Sequence, residues 1–164
     1  PDRGSTFNLY FPAVSGALAR SPAPPREAVA GRNEHILYVD DEEVLTLLAR
    51  RILVALGYRV TVFTDPGQAL AAFRDAPHEF DVVVSDLAMP GMSGFDLVRA
   101  LRSIRPDVPV LLTSGYVREE DRNEAISLGI SDVIAKPDTV EELGYMLDRL
   151  FSEGRALSPR SVAH

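Results

Sequence analysis

Between Glu34 and Phe151, short apolar runs alternate with longer stretches whose apolar positions recur at helical spacing. The runs Ile36–Val39, Arg59–Phe63, Val82–Ser85, Pro109–Thr113 and Asp132–Ala135 are the strand candidates, most of them rich in Val, Ile or Leu without alternation. A strand that is apolar throughout is buried on both faces, the condition met inside a parallel sheet. Between the runs, Val44, Leu47, Leu48, Ile52 and Leu56 form one helical stripe, and Val140, Leu143, Leu147 and Leu150 form another. Both stripes are expected to cover the sheet. Helix starts are signalled by Asp65 before Pro66, by Ser93 with Asp96 three positions on, and by Thr139 with Glu142 three positions on. Gly57 and Gly129 stand where the first and fourth helices should end. Five βα units follow from this pattern, and hence an α/β domain over residues 34–151.

The flanks differ. The run Phe7 to Phe11 alternates apolar and polar residues and is stopped by Pro12, which predicts a strand with no sheet of its own. Residues 13–33 are rich in Ala, Ser, Arg and Pro, with Pro22, Pro24 and Pro25 close together, and read as a linker. Residues 152–164 are polar, carry Gly154 and Pro159, and are expected to be a flexible tail. Pro1 stands where an initiator methionine would, so the sequence reads as starting inside a longer protein.

Composition narrows the function classes. The 164 residues include no cysteine, which removes disulfides, thiolate metal sites and cysteine nucleophiles. No apolar run approaches the roughly 20 residues of a membrane helix, and direct membrane contact is not expected. A net charge of −7 without a basic patch argues against a nucleic-acid partner. Of the 17 basic residues, all but Lys136 are arginine.

That lysine follows the fifth apolar run, and other reactive groups follow the rest. The first run ends in Asp40-Asp41, the third in Asp86 and the fourth in Thr113-Ser114. In an open parallel sheet, functional groups gather at the carboxyl edge. With strand order 2-1-3-4-5, three carboxylates, a hydroxyl and an ammonium converge on one crevice. Clustered carboxylates call for a compensating cation, and oxygen ligands suit a hard divalent ion such as Mg²⁺, with Mn²⁺ as a substitute. A carboxylate can also accept a phosphoryl group as an acyl phosphate, with the metal and a compact lysine charge neutralising the transferring oxygens.

These residues resemble the receiver domain of two-component response regulators. The likeness covers Glu34 to Phe151 and is carried by Tyr38-Val39-Asp40-Asp41-Glu42, by Asp86-Leu87-Ala88-Met89-Pro90-Gly91-Met92-Ser93-Gly94, by Leu112-Thr113-Ser114-Gly115 and by Ala135-Lys136-Pro137. The resemblance implies a flavodoxin-like (βα)5 three-layer sandwich. It implies Asp86 as phosphoacceptor, with Asp41, Asp86 and the Ala88 carbonyl as Mg²⁺ ligands and Asp40 acting through water. Thr113 and Lys136 would contact the phosphoryl oxygens. It further implies cytoplasmic phosphorelay signalling, with no turnover beyond self-phosphorylation and autodephosphorylation, and a homodimer is within the family's range. One family feature is missing: the aromatic residue three positions before the lysine is Val133, and Tyr116, three residues after Thr113, is the candidate for a related role. The small Ala88 and Gly115, in positions that modulate phosphoryl lifetime in the family, imply easy water access and a short-lived acyl phosphate.

A shorter likeness concerns Arg3 to Pro12, which resembles the last glycine motif and strand of a histidine-kinase ATP-binding domain. Residues 1–12 would then be its remnant, and the whole the carboxyl-terminal end of a hybrid sensor kinase. The partners implied are a histidine kinase core in the same parent chain and a histidine phosphotransfer protein. Two rivals remain: a pseudo-receiver that binds partners without phosphorylation, and a Mg²⁺-dependent phosphohydrolase with an Asp nucleophile. The Leu87-Ala88 that follows Asp86 departs from the Asp-x-Asp run of such hydrolases. Neither glycine-rich nucleotide-binding motif occurs.

Overall fold

The computed structural model describes residues 31, 33–130, 133–136 and 144–151. The strand expected at Phe7 to Phe11, the linker apart from positions 31 and 33, the Thr139 cap and the tail lie outside the described residues. The element order is β1 (His35–Val39), α1 (Glu43–Ala55), β2 (Arg59–Phe63), α2 (Pro66–Asp75), β3 (Val82–Asp86), α3 (Gly94–Ile104), β4 (Val110–Ser114), α4 (Glu119–Ser127) and β5 (Val133–Ala135). A fifth helix, α5, is described over residues 144–151. The five strands pair in parallel in the order β2-β1-β3-β4-β5, as expected.

Alternation along each strand explains why the runs are apolar throughout. Leu37, Val39 and Val83 face a core shared with Phe73 of α2, Leu101 of α3 and Ala125 of α4. Ile36, Tyr38, Val82 and Val84 face a second core with Leu53 of α1 and Leu147 of α5. The sheet is therefore the middle of three layers, with α1 and α5 on one side and α2, α3 and α4 on the other. Caps form where two of the start signals stand: Asp65 accepts from the Gln68 amide at 2.8 Å, and Ser93 and Asp96 form a reciprocal capping box. Gly57 and Gly129 adopt φ of 91° and 69°, the left-handed conformation of a helix terminator.

The α1 stripe is corrected. Its buried residues are Thr46, Ala49 and Leu53, with Ile52 and Leu56 packed beside them. Val44, Leu47 and Leu48 are 75%, 50% and 52% exposed. Small residues on the inward face let the helix approach closely, and the Thr46 hydroxyl is satisfied by the Glu43 carbonyl at 2.8 Å. In α5, Leu147 is buried and Leu150 partly so, whereas Val140 and Leu143 lie outside the described residues. Among the described residues no helix is long and apolar enough to cross a membrane.

Candidate functional site at the carboxyl edge of the sheet

Strand register brings the expected groups level with one another. Val39 pairs with Ser85, Asp86 with Thr113 and Ser114 with Ala135. Asp40, Asp86, Thr113 and Lys136 thus stand on adjacent strand ends. Backbone bonds beyond the strands hold them there: Asp40 N–H donates to the Phe63 carbonyl at 3.2 Å, Leu87 N–H to the Thr113 carbonyl at 2.8 Å, and Lys136 N–H to the Ser114 carbonyl at 2.8 Å. Gly94 closes the β3–α3 loop under Asp86, where a Cβ would come within 2.5 Å of the Asp86 carbonyl oxygen. Only glycine permits that approach.

Asp40 is fully buried, and Asp86 and Thr113 are nearly so; Asp41 is exposed at the mouth. Carboxylate oxygens of Asp40, Asp41 and Asp86 lie within 4.8 Å of one another. Lys136 Nζ reaches Asp40 Oδ2 at 2.9 Å and Asp86 Oδ2 at 3.3 Å. The Asp40 Oδ1 atom accepts from the Glu42 amide at 3.1 Å. Thr113 Oγ1 lies 3.4 Å from the Ser85 carbonyl, beside Asp86 on the next strand. Ala88 sits exposed in the loop two residues after Asp86.

The charges are strained. Burial raises the Asp86 pKa, and the neighbouring Asp40 charge adds to this against the pull of Lys136. Partial burial works against the Lys136 ammonium, but Asp40 and Asp86 outweigh it and hold its pKa above the ordinary lysine value. The Tyr38 phenol is pushed well above its ordinary range by burial and then by Asp40 and Asp86. Tyr38 therefore belongs to the electrostatic surroundings of the site, although its place in an apolar strand run marks it only as core. A polar atom inside such a run is the signal that could have singled it out.

The residue set fits a hard divalent cation. Three carboxylates against one ammonium leave two formal negative charges in the crevice. Among the described residues, Asp86 Oδ1 is buried with no hydrogen-bond partner, an acceptor left open to a group from outside. All donors are oxygens, the set that Mg²⁺ prefers. At the position of the missing aromatic, Val133 is buried. Tyr116 is 78% exposed, its backbone tied to Ser114 Oγ by a pair of bonds at 2.8 and 3.2 Å.

The comparisons with known proteins agree with this geometry. The response regulator receiver domain family matches residues 36–148. Chemotaxis protein CheY-3 of Vibrio cholerae is 36% identical over 131 residues, covering 76% of this chain and 97% of that protein. The aerobic respiration control sensor protein ArcB of Escherichia coli is 33% identical over 153 residues, 91% of this chain. The chain spans 19% of ArcB and 47% of the Mycobacterium tuberculosis regulatory protein TcrX. Among solved structures, V. cholerae CheY4 superposes with a TM-score of 0.66 at 32% identity, covering 71% of this chain and 98% of CheY4. A Clostridium thermocellum receiver domain superposes with a TM-score of 0.70 at 25% identity, covering 76% and 99%. With the strand order, the acidic cluster and the family match in agreement, this chain belongs to the response regulator receiver domains of two-component signalling.

Proposed function

We propose that the domain accepts a phosphoryl group from phosphohistidine onto Asp86, with Mg²⁺ bound by Asp41, Asp86 and the Ala88 carbonyl and by Asp40 through water. The observation that carries this reading is the buried Asp86 Oδ1, without a hydrogen-bond partner among the described residues, beside a lysine shared by Asp40 and Asp86. In the step, the histidine N–P bond breaks as a P–O bond to an Asp86 carboxylate oxygen forms. The electron pair returns to the imidazole, which leaves neutral or takes a proton. Mg²⁺, when bound, supplies charge neutralisation at the phosphoryl oxygens. Asp40 and Asp41 hold the cation, Lys136 places its ammonium against a phosphoryl oxygen, and the Thr113 hydroxyl turns from the Ser85 carbonyl to donate to another. Phosphorylation then shifts a pre-existing equilibrium in the loop after Thr113 and in α4.

Ala88 is exposed and Gly115 has open space where a Cβ would lie, so water reaches the acyl phosphate and its lifetime is short. A half-life of many hours in this chain would contradict that. The alignment with the sensor protein ArcB over 91% of the chain supports a hybrid kinase origin. On that reading the domain is cytoplasmic, residues 1–12 are the remnant of a kinase ATP-binding domain, and residues 13–33 link it to the receiver at 34–151, with a tail over 152–164. The donor is a kinase core of the same parent chain, with a histidine phosphotransfer protein as a further partner.

The test is intact mass after incubation with acetyl phosphate or phosphoramidate, with and without Mg²⁺, on wild type and Asp86→Asn. The expected result is a hydroxylamine-labile gain of about 80 Da, one phosphoryl group on a carboxylate, in wild type with Mg²⁺ only. Full labelling of Asp86→Asn overturns the site. Failure of both labelling and beryllofluoride binding in wild type gives the function to a pseudo-receiver.

A further inference from the structure

A change in the crevice has to reach α4, and the body of α4 is weakly held. Ala125 is the one buried residue of the helix. The ion pair of Glu124 with Arg99 of α3 joins side chains that are 41% and 49% exposed, and exposed pairs contribute little. The position of α4 therefore depends on the loop that leads into it from β4. Val117 packs, partly buried, against the core on that side of the sheet, which leaves Gly115 and Tyr116 to span the gap from Ser114. Gly115 has open space where a Cβ would lie, and Tyr116 is 78% exposed. Neither side chain fixes the loop.

Ser114 fixes it instead. Its side chain is buried at the end of β4, where the hydroxyl donates to the Tyr116 carbonyl at 2.8 Å and accepts from the Tyr116 amide at 3.2 Å. Donor and acceptor of one hydroxyl are thus both used on the backbone of one residue. Among the described residues, no other side chain bonds to the backbone of Gly115 or Tyr116. The Ser114 carbonyl, for its part, accepts from Lys136 N–H at 2.8 Å. One residue therefore joins the lysine of the crevice, through its carbonyl, to the entry of α4, through its hydroxyl. Val133, level with Leu112 on the neighbouring strand, is a fully buried valine, stiff at χ1 and without a polar side-chain atom. No ring at that position can change rotamer.

We propose that Ser114 is a positioning residue that makes the loop between β4 and α4 move as one piece with the strand end. A displacement of Thr113 and Lys136 toward a phosphoryl group then reaches α4 through the backbone bonds of Ser114, and the Tyr116 ring takes no part. This role rests on the phosphoacceptor reading, because it needs a displacement to transmit. Without the hydroxyl, rotation at Gly115 absorbs that displacement before it arrives at Tyr116.

The test is amide NMR of the full 164-residue chain as wild type, Ser114→Ala and Ser114→Thr, with and without Mg²⁺ and beryllofluoride. Without either, the Tyr116 amide should exchange with solvent about tenfold or more faster in Ser114→Ala than in wild type, since its acceptor is gone. On adding both, wild-type resonances should move at Leu87 and Thr113 and along α4. In Ser114→Ala the changes at Leu87 and Thr113 should persist, whereas those along α4 should fall to about a third or less, in keeping with the loss of two ordinary hydrogen bonds. Ser114→Thr keeps the hydroxyl and should recover both the amide protection and the α4 changes. Full α4 changes in Ser114→Ala overturn the proposal, as does a wild-type Tyr116 amide with no protection to lose. A threonine variant that regains the protection without the α4 changes overturns it too. Equal loss at Leu87, Thr113 and α4 in Ser114→Ala overturns it in favour of a purely structural role. A wild type in which Leu87 and Thr113 do not move has failed as a phosphoacceptor, and the transmitting role fails with it; the wild-type spectrum alone tells that failure from the others.

Discussion

Lys136 Nζ lies 2.9 Å from Asp40 Oδ2 and 3.3 Å from Asp86 Oδ2, so one ammonium is shared between the fully buried acid and its neighbour on β3. Among the described residues, Asp86 Oδ1 is left with no hydrogen-bond partner. The sharing also means that new negative charge at Asp86 has a cation already within reach, and that moving this cation pulls on β5 through its backbone.

A planar guanidinium cannot occupy such a shared point. Lys136→Arg is expected to keep the charge and still accept a phosphoryl group, but to transmit it poorly. The measurement is the change in amide resonances from Gly115 to Ser127 on adding Mg²⁺ and beryllofluoride. Those changes should fall to about half or less of the wild-type values, since a spread charge loses the point contact that lysine makes. Full-sized changes in Lys136→Arg would show that the lysine acts only through its charge.

Asp86 also makes a prediction about stability. Its raised pKa means that the native state holds this proton more tightly than the unfolded chain does. Ionised Asp86 therefore subtracts from stability, and the cost sets in as pH rises from the ordinary carboxylate value through the raised one. Asp86→Asn removes the charge and should raise Tm at pH 7 in metal-free buffer by about 4 °C, what roughly 1 kcal/mol gives in a domain of this size. At pH 3, below both values, the difference should vanish. Millimolar Mg²⁺ should narrow the gap by stabilising wild type selectively. A variant less stable than wild type at pH 7 without metal would mean that the Lys136 pairing outweighs burial.

What the sequence made legible here is the part fixed by strand ends. Asp40, Asp86, Thr113 and Lys136 each follow an apolar run, and parallel register alone makes them neighbours. Lys136 stood out further as the single lysine among arginines. The orientation of α1 was not legible in the same way. Its sequence offers two faces, a larger apolar one through Val44, Leu47 and Leu48 and a smaller one through Thr46, Ala49 and Leu53. Hydrophobic weight selects the first, whereas the fold buries the second, because close approach to the sheet depends on side-chain size. Ile52 and Leu56 lie on the boundary and fit either orientation.

The close passage at Gly94 makes a prediction that charge does not enter. A Cβ there would stand 2.5 Å from the Asp86 carbonyl oxygen and 2.9 Å from Leu87 Cα, and both obstacles are backbone. Gly94→Ala must therefore move the strand end that carries the phosphoacceptor. Helix propensity alone favours alanine over glycine by about 1 kcal/mol, so a gain would be expected if space allowed. The expected outcome is instead a loss of about 2 kcal/mol in urea unfolding, as for backbone strain, and labelling by acetyl phosphate slowed at least about tenfold by misplacement of the nucleophile. Gly115→Ala, which meets nothing within 4 Å, should show neither the strain nor the misplacement and serves as the control. Equal behaviour of the two variants would refute the clash.

The two faces of α1 can be separated by truncating one leucine on each. Leu53 is fully buried among Ile36, Val82 and Leu147, and Leu53→Ala removes its packing and leaves a cavity between α1 and the sheet. The expected cost is about 3 kcal/mol, within the usual range for a buried leucine. Leu47 is half exposed, and Leu47→Ala should stay within about 0.5 kcal/mol of wild type. Urea unfolding at a few micromolar measures both, with unchanged slopes showing that the unfolded reference is the same. If Leu47→Ala proved as costly as Leu53→Ala, the helix would be rotated in solution so that its larger apolar face meets the sheet.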